Sequence, residues 1–465
     1  VIRVTTAGAA LSVRTATRSV AGSVALARAE IGSWWLLALL SLGVATLFAV
    51  VLVVARTPFL GLGASFFRTA LVLHVDLAVV VWFLAVAAGL WLVAIPVSCC
   101  VLSRMARGGV WLAGIGVIVM LLSALDKGAS PILANYVPIL DSPLFFAGLG
   151  AFLSGVGLAA LAALASLPAT WSALIHETSG TGWRWPVIAA ALVYWVAALV
   201  FVMAMDGAGD ISADERLWGG GHVLQIVHTL MLSAAWLYLG QEALGQLKLS
   251  RGWIVVLVVP ELLAAFADLA LAGLHPLGSL AYRTGFTDVM RWLTWPAPVA
   301  LAIALLIGYR RLRKIRRLDF NDIALIASVA LFGLGCAVGA TIRGETTAVP
   351  AHYHGTVGAV TLAYMLWARN GLVCHGGISM RQWIWRWQPM IYGLGIGFMV
   401  LGLAWAGWLG VPRKSPHHDV VLAHGMDYFA MGLAGMGGLL ATLGAGIFVL
   451  WILIEFGKRK KTKWM

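Results

Sequence analysis

The chain has 465 residues, 61% of them hydrophobic and only 11% charged, a composition far too apolar for an ordinary soluble domain. Its formal net charge of +13 first suggests nucleic acid. The basic residues sit mostly in short connections between hydrophobic runs, however, which is a membrane-topology pattern and points away from a nucleic-acid partner.

A transmembrane helix needs about 20 mostly apolar residues. Twelve such runs follow one another, at 33–55, 71–96, 109–125, 144–167, 185–205, 221–245, 252–274, 290–309, 321–342, 351–372, 388–410 and 424–456. The short alternating stretches of a membrane barrel are absent. The expected fold is therefore an all-α, polytopic bundle of about twelve transmembrane helices. One domain spans 33–456, between a cytoplasmic N-terminal arm at 1–32 and a basic cytoplasmic tail at 457–465. The arm carries Arg3, Arg14, Arg18 and Arg28, and its apolar stretches are too short for a signal peptide.

The densest basic clusters, Arg310–Arg317 and Lys458–Lys461, fall on the same side as the N-terminus. The positive-inside rule then puts both termini in the cytoplasm, and the location expected for the chain is a bacterial-type inner membrane. Cys99, Cys100, Cys336 and Cys374 show neither CxxC nor CxxCH spacing, so neither a zinc site nor a covalently attached haem is expected.

With that topology, even-numbered spans enter from the outside. His74 opens the second span, His222 the sixth, and His352 and His354 the tenth, all one to two turns below the outer surface. The seventh span exits on that side with Asp268 and His275 in its last turns. A lone histidine at a helix end is an ordinary interfacial residue, but four on three helices in one layer read as a metal-cofactor plane. Residues two apart on a helix point about 200° apart, so His352 and His354 must serve different centres. Two haems with the tenth helix between them is the economical solution.

These residues resemble subunit I of the haem–copper oxidases, including its nitric oxide reductase branch. The likeness runs through Arg68–Ala78 around His74, Asn135–Phe146 before the fourth span, Leu217–His222, and Val349–His354 with its HxH. By that resemblance His74 and His354 sandwich a low-spin haem and His352 binds a high-spin haem where substrate reacts. The macrocycles are expected to be b-type. His222 becomes a ligand of a second, non-haem metal, and Arg413 and Lys414 hold haem propionates, for which charge-assisted pairing is the physical reason.

The departures are as informative. The family's two adjacent histidines near the end of the seventh span are missing, and Glu261, Asp268 and His275 stand there instead, seven apart and on one face within about 20° per step. Either Asp268 or His275 completes a site with His222, an oxygen-bearing sphere suited to iron rather than copper, or the stripe is a proton path without metal. Glu261, the deepest, fits the relay role. Ile226 stands where the oxygen-reducing branch carries a tyrosine, and Leu224 replaces that branch's glutamate. His228 lies about 240° around the helix from His222 and is expected to be structural or a neighbour of the second haem.

The resemblance thus implies an oxidoreductase that reduces nitric oxide to nitrous oxide, with His352, His222 and Glu261 as its catalytic residues. It would be fed by an electron-donating subunit of cytochrome c or dicopper type, or by quinol. Two other readings stay open: a divergent terminal oxygen reductase, for which Tyr282 is the nearby tyrosine, and a haem-bearing electron relay that has lost the second metal.

Overall fold

The computed structural model describes residues 31–53, 55, 64–176, 182–205, 211–244, 251–374, 383–414 and 425–462. The N-terminal arm with its four arginines, and the side chains of the basic tail, lie outside the described residues. Eleven described helices are long and apolar enough to cross a membrane: α1 (Ile31–Val53), α2 (Phe66–Ala94), α3 (Cys100–Leu125), α4 (Pro143–His176), α5 (Arg184–Met205), α6 (Ala213–Leu244), α7 (Gly252–Leu274), α8 (Leu280–Leu312), α9 (Phe320–Gly339), α11 (Arg386–Trp408) and α12 (Gly425–Glu455). The histidine-bearing α10 (Ala348–Cys374) is a further long helix. The chain is a multi-pass membrane protein, as its composition requires.

Most helices overrun the apolar windows that predict them. α8 begins ten residues early and α4 continues past Pro168 to His176, because hydropathy registers only the lipid-solvated middle of a helix whose ends reach polar surroundings. α2 and α6 are the most enclosed spans, whereas α1, α7 and α8 turn most of their surface outward. Helices apolar on every face belong at such a centre. Trp82, Trp91, Trp236 and Tyr364 are fully buried there.

Neighbouring helices approach closely where glycines face each other. A Cβ on Gly148 would stand 2.7 Å from the Met120 nitrogen, so α3 and α4 pack backbone to backbone. Gly437 and Gly395 play the same part for α11 and α12. Small residues supply this proximity in lipid, where apolar side chains alone give helices little reason to associate.

Polar ties are few and buried. Trp236 Nε1 on α6 donates to Ser328 Oγ on α9 at 2.9 Å, and Ser328 donates to the Ala359 carbonyl of α10 at 2.8 Å. In α2 the helix widens to a π-type turn over Asp76–Val81 just after His74, and Ser41 Oγ of α1 donates to the Leu77 carbonyl at 2.6 Å within it. Widened turns of this sort are frequent at functional positions.

Between α3 and α4 lies a small antiparallel hairpin, β1 (Ser130–Ile132) and β2 (Ile139–Asp141). Asp126 fastens its base by accepting from the Gly128 amide at 3.0 Å and the Ser142 hydroxyl at 2.8 Å. Those two bonds hold its carboxyl below the usual carboxylate range.

At the opposite pole, Arg316 donates to both carboxylate oxygens of Asp322, at 2.6 and 3.1 Å. Asp322 also forms a reciprocal capping box with Asp319 at the start of α9. Asp322→Ala leaves the Asp319 cap on the residue 322 amide but removes the other half of the box, the acceptor for the Asp319 amide, together with the buried partner of Arg316. The expected loss is about 1–3 kcal/mol, read as a lower apparent Tm of the purified protein in detergent.

Candidate cofactor cavity

The helices line a partly open cavity of about 1700 Å³. One small-molecule site takes roughly 300–1,000 Å³, so this space suits more than one large ligand. His74 from α2 and His352 and His354 from α10 all line it. His228 of α6 joins them, with its ring edge-on to Phe83 at 5.0 Å.

Each of the three predicted haem ligands is oriented by a main-chain carbonyl. His74 Nδ1 bonds to Ala45 O of α1 at 2.8 Å, His352 Nδ1 to Gly335 O of α9 at 2.8 Å, and His354 Nδ1 to Pro350 O at 2.6 Å. A carbonyl only accepts, so Nδ1 carries the proton in each case and Nε2 of the neutral ring keeps its lone pair. That is the tautomer an axial ligand needs, and an outer-shell acceptor of this kind fixes the plane of the ring. Gly339 makes the space for His352, since a Cβ there would stand 2.6 Å from its Nδ1. The cavity and its donor set fit haem.

Arg413 and Lys414 lie on the cavity wall beside the hairpin tip, residues 133–138. Arg413 pairs with Glu345 and donates to Asn135 Oδ1 at 2.9 Å. Lys414, in the left-handed backbone region at φ 62°, donates to the Leu133 carbonyl and lies 3.4 Å from Asn135 Oδ1. Partial burial and the neighbouring Arg413 charge lower the Lys414 ammonium from its usual value.

His222 is placed differently. It is buried and does not line the cavity, although its neighbours Trp218 and Gly221 do. Its Nδ1 bonds to Trp218 O at 2.8 Å and its Nε2 to the Tyr136 hydroxyl at 2.9 Å. Burial above all raises the Tyr136 hydroxyl well above its ordinary range, so it remains a donor and Nε2 the acceptor.

Asp268 and Glu261 are both buried in α7, and no hydrogen-bond partner meets Asp268 Oδ1 or either Glu261 oxygen among the described residues. His275 sits half-buried just past the end of α7. Among the described residues no three His, Cys, Asp or Glu side chains gather as a metal site, so His222, Asp268 and His275 are not brought together as one. Ile226 is buried on α6, and Tyr282 packs against Gly219 and Phe286.

Tyr136 is the site residue that sequence reading missed. It lies in the quoted segment before the fourth span, but its partner is 86 positions away. The available signal was Gly219-Gly220-Gly221, a run in a helix that only close neighbours explain.

No protein-family model matches the chain. An uncharacterized protein of Rickettsia prowazekii is 25% identical over 499 residues, covering 90% of this chain and 94% of that protein. An uncharacterized protein of Aquifex aeolicus is 30% identical over 344 residues, covering 71% and 83%. Among solved structures, a heme-copper terminal oxidase dimer studied by cryo-EM aligns over 93% of this chain and 84% of its own, with TM-score 0.72 and 14% identity. At that identity the likeness establishes the fold.

Proposed function

We propose, for a chain that belongs to one family with the Aquifex aeolicus protein and has the fold of a heme-copper terminal oxidase, that it is the haem-carrying subunit of a membrane oxidoreductase. The observation that carries this reading is the convergence of His74, His352 and His354 on one cavity, each with Nδ1 donated to a carbonyl. His74 and His354 would hold a low-spin haem and His352 a second haem, both b-type. Such haems would supply one-electron transfer and, at one of them, binding of a small gas. The chain orients the imidazoles, excludes water with an apolar wall, and holds cations near the haem carboxylates through Arg413 and Lys414. Electrons would arrive from a cytochrome c or dicopper subunit, or from quinol, across a bacterial inner membrane with both termini inside.

Where substrate chemistry occurs, Ile226 and Leu224 favour nitric oxide reduced to nitrous oxide over oxygen. In that form His222, with Asp268 or His275, would hold a non-haem iron and Glu261 would relay protons. His222 would then have to exchange Tyr136 for the metal. The electron-relay reading requires no exchange, and the Tyr136–His222 bond favours it. Anaerobic turnover of the purified complex with nitric oxide, compared with its oxygen turnover, separates them. Consumption of nitric oxide alone supports the reductase, oxygen alone the oxidase, and neither gas with haems that still accept electrons the relay. A purified chain without haem would end the proposal.

A further inference from the structure

We infer that His222 is a positioning residue and not a metal ligand: it anchors the hairpin tip through Tyr136, and the chain works with its haems and no third metal. This rests on the haem reading of the cavity.

Both nitrogens of His222 are engaged, one on its own helix and one on Tyr136. A metal at Nε2 would have to expel the Tyr136 hydroxyl, and the surroundings hold that residue in place. The Tyr136 ring lies 4.4 Å from the imidazole, with Trp218 at 4.8 Å and Phe286 at 5.7 Å. The glycine run makes this enclosure possible. A Cβ at Gly221 would overlap Tyr136, one at Gly220 would overlap Phe201, and one at Gly219 would overlap Tyr282 and Phe286. Tyr136, Trp218 and Phe286 therefore crowd the imidazole, and no group of three His, Cys, Asp or Glu side chains forms around it among the described residues.

The same contact has a constructive role. Tyr136 follows Asn135, whose amide donates to Asp214 Oδ1 at 2.8 Å and whose side chain accepts from Arg413. Leu133 at the start of the tip accepts from Lys414. The tip is thus pinned to α6 on one side and holds both cations on the other. Freeing Tyr136 would loosen the positive charges beside the cavity. Positive charge near a haem favours its reduced form, so loosening should lower the midpoint potential.

The test uses the purified full-length complex. Total iron and copper are measured against haem, and redox titrations are run on wild type, Tyr136→Phe, His222→Ala and His222→Gln. Iron equal to haem and no copper is expected in all four. A lower midpoint potential is expected in Tyr136→Phe and His222→Ala and recovery in His222→Gln, whose amide oxygen can still accept from Tyr136. Stoichiometric non-haem iron or copper that disappears in both His222 variants while haem remains would overturn the inference. Unchanged potentials in Tyr136→Phe and His222→Ala would overturn the anchoring role. Absence of haem from every preparation would remove the underlying reading, and this inference with it.

Discussion

Replacing His74 by alanine is expected to abolish the bis-histidine haem while the second haem stays in place. His74 and His352 approach the cavity from different helices, α2 and α10, and take their orienting carbonyls from different neighbours, Ala45 of α1 and Gly335 of α9. Loss of one imidazole therefore does not disturb the other's support. Outer-shell changes at metal sites cost roughly 10–100-fold in affinity, so removing the ligand itself should cost more. The check is the reduced-minus-oxidised spectrum together with the haem-to-protein ratio. His74→Ala should lose the low-spin signal and half of the haem, and His352→Ala should lose the other half. If both variants retained full haem with wild-type spectra, the assignment of these histidines would fail.

The distribution of legible and hidden features has a physical basis. Spans and histidines are local properties: twenty apolar residues and an HxH announce themselves in one dimension, and His74, His352 and His354 line one cavity. His222 is expected at their depth, yet its ring meets a tyrosine brought in by the hairpin between α3 and α4. Depth follows from counting residues along a helix, whereas the direction of a side chain into a neighbour depends on contacts distant in sequence. The seven-residue spacing of Glu261, Asp268 and His275 fixes a helical face but says nothing about what that face meets. Gly335 and Gly339 were equally silent, since their meaning lies in the helix that crosses them.

That crossing yields the other large effect. Gly335 of α9 and Gly355 of α10 meet so closely that a Cβ on Gly355 would stand 2.6 Å from the Gly335 Cα, and one on Gly335 would stand 2.7 Å from the Thr356 nitrogen. Both obstacles are backbone, which cannot rotate aside as a side chain can. Gly335→Val therefore has to push the helices apart. Overpacking of this kind costs about 1–3 kcal/mol or more, and the roughly 1 kcal/mol or less that leaving glycine returns in helix propensity does not offset it. The site suffers more than the fold, because the Gly335 carbonyl orients His352 and Gly355 directly follows His354. Gly335→Val and Gly355→Val should insert into the membrane yet carry markedly less haem, with both haem signals affected. Gly150→Ala is the control: it lies on the outer surface of α4 with nothing within 4 Å of an added Cβ, so its haem content should be that of wild type. Equal haem in all three variants would show that the α9–α10 approach does not set the ligand geometry.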